Sequence, residues 1–275
     1  MSTVTASSRR EHRVTARSLA QRKRRGEPFS MLTAYDFAFA RIFDQAGIDV
    51  LLVGDSMANV VQGHETTLPV TLDEVVYHSR MVARGASRAL VVGDMPFGSY
   101  QVSPEDALRS AIRLVKEGGV HSVKLEGGRT MAATIERIVA AEIPVMGHVG
   151  LTPQSIHRMG GYRVQGRGEA SRQRVIEDAR AVEAAGAFSI VLEGVPADLA
   201  TEITGLLSIP TIGIGAGPGC DGQVLVMHDL LGLNDWTPSF VKQYANLGSL
   251  ASQAARCFAE EVANRKFPAE EHCYR

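Results

Sequence analysis

Val-Leu-Leu-Val-Gly-Asp-Ser, residues 50–56, is the stretch of sequence that decides the fold. An apolar run of this length predicts a buried strand, and it ends directly in a glycine and two polar residues. A predicted strand also ends in a polar or charged residue in four other segments, Leu-Val-Val-Gly-Asp (90–94), Ser-Val-Lys-Leu-Glu (122–126), Pro-Val-Met-Gly-His (144–148) and Ser-Ile-Val-Leu-Glu (189–193). Strands that deliver polar groups at their carboxyl ends are typical of parallel α/β enzymes, which build their active sites there.

Short apolar runs alternate with longer segments of helical period along the whole chain, which predicts repeated β-α units. Strands are predicted at 29–32, 50–53, 90–92, 122–125, 144–146, 189–192, 211–213 and 223–227. Helices are predicted at 37–46, 72–86, 104–117, 131–141, 172–185 and 197–207, and a last helix at 249–264 would close the outer ring. Eight strands predict a (β/α)8 TIM barrel. We therefore expect a basic, disordered tail over 1–18 and a single barrel domain over 19–275.

Composition excludes several classes of protein. The 275 residues include 29 Lys plus Arg and 30 Asp plus Glu, a net charge of -1, which argues against a dedicated nucleic-acid binder. The longest uncharged stretch, 203–220, contains two prolines and five glycines and therefore cannot form a membrane-spanning helix. The cysteines, Cys220, Cys257 and Cys273, form no CxxC pair, which fits reduced thiols in a cytoplasmic protein.

Asp55, Asp94 and Glu126, at three of the polar strand ends, offer only carboxylate oxygens. Carboxylate oxygens are hard ligands that suit Mg²⁺, whereas zinc would call for a cluster of His or Cys. Lys124 lies two residues before Glu126 and so shares its face of the strand, where it needs an anionic partner. Two alternatives stay open. Asp55 and Asp94 are also typical helix N-caps, and Lys124 could form a purely structural ion pair.

Other motifs carry weaker signals. Gly-Ile-Gly-Ala-Gly, residues 213–217, lacks both the spacing and the following helix of a dinucleotide-binding loop. Arg158, Arg163 and Arg167 lie in a long connection, 147–170, and form either a solvated loop face or a grip for an anionic ligand. The basic run 22–25 is best interpreted as a solvated helix end.

Longer motifs point to one family. Met-Leu-Thr-Ala-Tyr-Asp (31–36), Leu-Val-Gly-Asp-Ser (52–56), Pro-Val-Met-Gly-His-Val-Gly-Leu-Thr-Pro-Gln (144–154), Gly-Gly-Tyr-Arg-Val-Gln-Gly-Arg (160–167) and Ile-Gly-Ile-Gly-Ala-Gly (212–217) resemble the ketopantoate hydroxymethyltransferase family. The resemblance covers about 19–272. It implies a barrel of the phosphoenolpyruvate/pyruvate type, Mg²⁺, 5,10-methylenetetrahydrofolate as co-substrate, a homodecamer, and the first committed step of pantothenate synthesis.

The resemblance also implies roles for individual residues. Asp55 and Asp94 would bind Mg²⁺, with Glu126 completing the metal site through water. Asp55, Ser56, Asp94 and Lys124 would together bind the 2-oxoacid substrate. Glu193 matches the family's proton acceptor, and His148 lies nearby as a possible accessory residue. Glu193 would remove the C3 proton of 2-oxoisovalerate, and the resulting enolate would attack the one-carbon unit of the folate.

Two rival functions remain open. A Mg²⁺-dependent carbon-carbon lyase of the isocitrate lyase type would share the barrel and the carboxylates, but the sequence lacks the Lys-Lys-Cys-Gly-His segment of those lyases. A non-catalytic barrel subunit would have no need of Lys124 and every acid. For the folate's anionic polyglutamate tail, we expect a docking surface at Arg163 and Arg167.

Overall fold

A computed structural model describes residues 13–274, and the chain divides into two compact units, 1–225 and 226–275. The first unit contains a closed barrel of parallel strands that pair in chain order, β1 with β2 and onward until β8 pairs with β1. The strands are β1 Phe29–Thr33, β2 Val50–Val53, β3 Leu90–Asp94, β4 Ser122–Lys124, β5 Val145–Gly150, β6 Ser189–Glu193, β7 Thr211–Ile214 and β8 Gly222–Leu225. The predicted TIM barrel is confirmed.

The six helices predicted between the strands are present, with small differences at their ends. Two short helices, Met57–Val60 and Ile156–Met159, were not predicted. Those of the first unit are α1 Ala16–Arg25, α2 Phe37–Gln45, α3 Met57–Val60, α4 Leu72–Gly85, α5 Pro104–Lys116, α6 Ala132–Val139, α7 Ile156–Met159, α8 Glu169–Ala184 and α9 Ala197–Leu206. Side chains at the expected positions cap α2, α4 and α5, where Asp36, Thr71 and Ser103 each accept a backbone N–H of the first turn. Short 3-10 turns occur at Arg129–Met131 and Pro153–Ser155.

Alternation along the strands decides what fills the barrel. Val50, Val92, Met146 and Val191 belong to one buried apolar cluster, so alternate residues of their strands point inward. The same alternation carries Asp94, His148 and Glu193 to the inner face, two residues after Val92, Met146 and Val191 respectively. An apolar core therefore supports a polar layer directly above it.

The start of the described chain covers the amino ends of the strands. Val14 and Leu19 join the same apolar cluster as Phe29 and Met31, and Leu19 is fully buried. Thr15 caps α1, so helix begins inside the region predicted as a disordered tail over 1–18, while residues 1–12 lie outside the described part of the chain.

Two basic residues of α1 form ion pairs with residues at strand starts. Arg22 contacts Asp49 at 2.9 Å and Lys23 contacts Asp221 at 2.8 Å. The interpretation of 22–25 as a solvated helix end is therefore wrong for Arg22 and Lys23, because each faces a carboxylate that a later part of the chain supplies. It holds for Arg24 and Arg25, which are exposed.

The second unit contains α10, Met227–Leu231, and α11, Leu247–Ala263, followed by a 3-10 turn at Glu270–His272. α11 matches the last predicted helix, and none of its residues is buried. No helix between residues 13 and 274 is long and apolar enough to cross a bilayer.

Candidate active site

Polar side chains from five consecutive strands meet at the carboxyl end of the barrel. Because all strands are parallel, their carboxyl ends share one face of the molecule. Asp55, Asp94, Lys124, Glu126 and His148 are buried there, each at most 5% exposed. Charged groups bury only when they are paired or bind an ion, so their concentration at this one end marks it as the candidate site.

Asp94 lies at the centre of the first cluster. The backbone N–H of Asp55 donates to Asp94 Oδ2 at 3.1 Å, and Lys124 Nζ contacts Asp94 Oδ1 at 2.8 Å. Burial raises the pKa of Asp94 to about 7 despite the adjacent ammonium group. Burial opposes the charge on Lys124, but the attraction of Asp94, Glu126 and Asp55 outweighs it and raises the pKa of Lys124 above its ordinary value. The lysine is held as a cation among carboxyl groups.

The capping alternative for the two aspartates is wrong. α3, which follows Asp55, has Ser56 as its N-cap, without a side-chain capping bond. Asp94 is the last residue of β3 and uses one carboxylate oxygen on the Asp55 backbone and the other on Lys124. Neither aspartate satisfies the amino end of a helix. The ion-pair alternative for Lys124 describes a real contact, but that contact lies inside the candidate site.

Gln154 and Tyr100 connect the carboxylates, and sequence reasoning assigned them no role. Gln154 Nε2 donates to Asp55 Oδ2 at 2.9 Å, and the Gln154 backbone N–H donates to Glu126 Oε2 at 3.0 Å. Tyr100 Oη donates to Gln154 Oε1 at 2.7 Å and accepts from the Glu126 N–H at 3.2 Å. Gln154 is the last residue of the Leu-Thr-Pro-Gln motif, so the sequence contained a signal for its role. No sequence motif indicated a role for Tyr100.

His148 lies between the lysine and the glutamate at the end of β6. Its Nδ1 is 3.4 Å from Lys124 Nζ, and its Nε2 is 3.2 Å from Glu193 Oε2. Its Nδ1 also lies 3.5 Å from Glu126 Oε1, so this nitrogen accepts from the ammonium group in one tautomer and donates to the carboxylate in the other. Burial and the charge of Lys124 lower the pKa of His148, against the pull of Glu193. The imidazole therefore contacts both the Lys124 ammonium group and the Glu193 carboxylate.

Glu193 and Ser56 lie at the edge of the buried cluster. The Glu193 side chain is 19% exposed, and its backbone carbonyl accepts from the Leu151 N–H at 2.8 Å. Gly150 stands beside it at φ +94°, and a Cβ there would meet the Glu193 carbonyl oxygen at 2.3 Å, so only glycine fits. Ser56 Oγ lies 2.9 Å from the hydroxyl of Tyr35. All predicted site residues thus lie at one end of the barrel; their individual roles stay predictions.

A divalent ion fits the donor set of this site. Residues 13–274 contain no group of three His, Cys, Asp or Glu side chains already arranged around one point. Glu126 Oε1 is nevertheless buried without a hydrogen-bond partner in that same part of the chain. Burial raises the pKa of Glu126 well above its ordinary value, and the nearby aspartates add to the effect. A cation would relieve this concentration of hard oxygen ligands.

The long connection 147–170 contacts the end of β6 next to the candidate site. The Gln165 N–H donates to the carbonyl oxygen of Gly194 at 2.8 Å, which ties the loop to the end of β6. Arg158, Arg163 and Arg167, the three arginines of this connection, are exposed.

Comparison with known proteins gives a consistent family. Residues 13–270 match the family model described as Ketopantoate hydroxymethyltransferase. A relative from Pelobacter propionicus, named 3-methyl-2-oxobutanoate hydroxymethyltransferase, is 56% identical over 95% of this chain and 97% of its own length. A relative of the same name from Saccharopolyspora erythraea is 57% identical over 96% of this chain and 90% of its own.

Solved structures of lower identity share the fold. A 2,3-dimethylmalate lyase, described as a PEP mutase/isocitrate lyase superfamily member, gives a TM-score of 0.60 at 19% identity, covering 94% of this chain and 91% of that one. A phosphonopyruvate hydrolase in complex with oxalate and Mg²⁺ gives 0.57 at 13% identity with the same coverage of 94% and 91%. The sequence matches are far more specific than these, and they establish that the chain belongs to the ketopantoate hydroxymethyltransferase family.

Proposed function

We propose that this protein transfers a hydroxymethyl group from 5,10-methylenetetrahydrofolate to 3-methyl-2-oxobutanoate and so forms ketopantoate, the first step of pantothenate synthesis. The main support for the proposal is that the buried imidazole of His148 contacts Lys124 through Nδ1 and Glu193 through Nε2. A cation and a carboxylate therefore lie on opposite sides of one ring. Removing a proton next to a carbonyl group requires a base on one side and positive charge on the other.

Each residue has a task in this chemistry. Glu193 takes the proton from C3 of the 2-oxoacid, and the electrons of that C–H bond form the C2–C3 double bond of an enolate. Lys124 faces the oxo oxygen, where the negative charge develops, and Ser56 binds the substrate carboxylate. His148 would donate its Nε2 proton to Glu193 and so orient that side chain.

Asp55 and Asp94 would hold Mg²⁺, with Glu126 completing the site through water. When bound, the ion would supply Lewis acidity and so favour charge on the substrate's oxo oxygen. Gln154 keeps Oδ2 of Asp55 occupied, and this leaves the other carboxylate oxygen for the ion. Asp94, which would hold the ion, also forms the ion pair with Lys124.

Carbon-carbon bond formation follows proton removal. C3 forms a bond to the methylene carbon of the folate, and water supplies the hydroxyl group on that carbon. Both of the carbon's bonds to nitrogen break, and tetrahydrofolate leaves after its two nitrogens take up one proton from Glu193 and one from water. The reaction is balanced as one 2-oxoacid, one methylenetetrahydrofolate and one water giving ketopantoate and tetrahydrofolate. We further propose that the enzyme acts in the cytoplasm as a homo-oligomer, with the decamer that the family resemblance implies.

The test is proton exchange followed by NMR in D₂O with 3-methyl-2-oxobutanoate and Mg²⁺. We expect the C3 proton signal to disappear in the wild type and to persist in Glu193→Gln, whose amide cannot accept the proton. Glu105→Gln, which changes an exposed glutamate of α5, is the matched control and should exchange like the wild type. Adding 5,10-methylenetetrahydrofolate should then yield ketopantoate.

Absence of exchange in the Mg²⁺-loaded wild type would contradict the proposal and favour the lyase or the non-catalytic barrel. Carbon-carbon cleavage of a 2-hydroxy diacid by the wild type would identify the lyase. Saturation by Mg²⁺ without exchange or cleavage would leave the non-catalytic barrel.

A further inference from the structure

A cavity of about 600 Å³ adjoins the candidate active site. Glu126 and Gln154 line it, and both belong to the hydrogen-bonded carboxylate network. The cavity therefore borders the carboxylate network of the candidate site, and its volume lies within the range of small-molecule sites. Lys124 and Ser56, which would bind the five-carbon 2-oxoacid, do not line this cavity.

The outer wall of the cavity carries uncompensated positive charge. Arg129, Arg158, Arg174 and Asp178 line it. Arg129 is neutralised by Glu177 at 2.7 Å and Asp178 at 3.4 Å. Neither Arg158 nor Arg174 has an ion pair with any residue that the structure describes. Two guanidinium groups facing one cavity favour a ligand with carboxylate groups, which they bind in bidentate fashion.

The same cavity has an aromatic and thioether wall. Phe97 lines it and is 51% exposed, and Met131 and Met159 lie along it. A phenyl ring and polarisable sulfur atoms are good contacts for the flat ring of a ligand. A ligand that matches all three features is elongated, begins at the 2-oxoacid site, contains an aromatic ring and ends in carboxylates.

We propose that this cavity binds the aminobenzoyl-glutamate part of the folate, with Arg158 and Arg174 binding the glutamate carboxylates and Phe97 packing against the ring. The inference rests on the proposed function and deepens it. It differs from the expected docking surface at Arg163 and Arg167, neither of which lines the cavity. The folate's reactive carbon then lies at the end near Glu126 and Gln154, next to the substrate.

The test is isothermal titration of the Mg²⁺-loaded enzyme with tetrahydrofolate and with tetrahydropteroate, which lacks the glutamate. In Arg158→Gln/Arg174→Gln we expect the Kd for tetrahydrofolate to rise about tenfold or more, since two charge-assisted contacts are lost. The Kd for tetrahydropteroate should stay within about twofold of the wild type. Arg163→Gln/Arg167→Gln is the matched control and should bind both compounds as the wild type does.

Three results would overturn the assignment. The first is an unchanged tetrahydrofolate Kd in Arg158→Gln/Arg174→Gln. The second is an equal loss for both compounds, which would mean a damaged cavity rather than lost carboxylate contacts. The third is a loss confined to the Arg163/Arg167 variant. Exchange of the C3 proton needs no folate and is measured on every variant, so a failed cavity assignment is distinguishable from a failed proposed function, in which the wild type itself does not exchange.

Phe97→Leu provides an independent measurement of the ring contact. It removes the aromatic face and retains apolar volume, so the affinities for tetrahydrofolate and tetrahydropteroate should both fall by a similar factor. Unchanged affinity for both compounds would contradict the ring contact.

Discussion

Both ends of the barrel contain ion pairs between a basic side chain and an aspartate, but the pairs at the amino end are structural and the pair at the carboxyl end lies in the candidate active site. At the amino end, Lys23 and Arg22 neutralise Asp221 and Asp49, and the backbone and hydroxyl of Thr211 also donate to Asp221. At the carboxyl end, one buried lysine faces Asp94, and Glu126 keeps an oxygen with no hydrogen-bond partner among residues 13–274. Complete pairing stabilises a fold, whereas incomplete pairing leaves groups available for a ligand and a metal. Among the described residues, the aspartates at the amino end of this barrel are paired with basic side chains, whereas the charges of the candidate site are not all paired.

Replacing one lysine at each end of the barrel tests this difference most directly. Lys124→Met should lower turnover about 1,000-fold, because the cation facing the developing enolate charge is lost. We expect its thermal midpoint to stay within a few degrees of the wild type, since Asp94, whose pKa is already raised, takes up a proton when its partner is removed. Turnover and thermal unfolding are measured on the same preparation. A collapsed midpoint would place Lys124 among the structural charges.

Lys23→Met is the matched change at the amino end. Lys23 Nζ donates to Asp221 and to the Thr204 carbonyl, and its side chain is 13% exposed. Its loss should reduce the free energy of unfolding by about 2 kcal/mol and leave kcat unchanged. Urea unfolding and turnover check both halves, and an effect on kcat without loss of stability would contradict the comparison.

Gln154→Leu examines the carboxyl end without removing a charge. The amide holds one oxygen of Asp55, so its loss should weaken Mg²⁺ binding about tenfold, as loss of a partner that orients a metal ligand commonly does. Calorimetric titration with Mg²⁺ measures the effect directly. Gln173→Leu, on the exposed side of α8, is the control and should bind Mg²⁺ as the wild type does.

The smallest expected effect concerns pH and lies at the amino end. His121 precedes β4, and its Nδ1 accepts from the Val91 N–H at 2.9 Å; burial and the charge of Arg13 lower its pKa to about 4. The unfolded chain then binds more protons than the folded one between its unfolded pKa of about 6.5 and 4, so stability falls as pH decreases through that window. In His121→Gln the thermal midpoint should fall less between pH 6.5 and 4 than in the wild type. An identical decrease in both proteins would show that His121 carries no part of it.

Local sequence predicts the barrel and most of the site because both depend on neighbours in the chain. An apolar run followed by Gly-Asp marks the end of β2, and a period of two carries Lys124 and Glu126 to one side. Arg22, Lys23, Tyr100 and Gln154 differ in this respect, since each has partners far along the chain. Gln154 meets Asp55 across 99 residues, and Lys23 meets Asp221 across 198. No local pattern specifies such pairs; only the closed barrel does.

The long reach of α1 has a consequence for synthesis of the chain. Lys23 of α1 pairs with Asp221, which is translated 198 residues later. At about 5 to 20 residues per second, this delay is about 10 to 40 s. A helix of 10 residues is marginal on its own in water, so it has little structure during that time. Because Asp221 directly precedes β8, the ion pair of Lys23 can form only when the last strand of the barrel is in place.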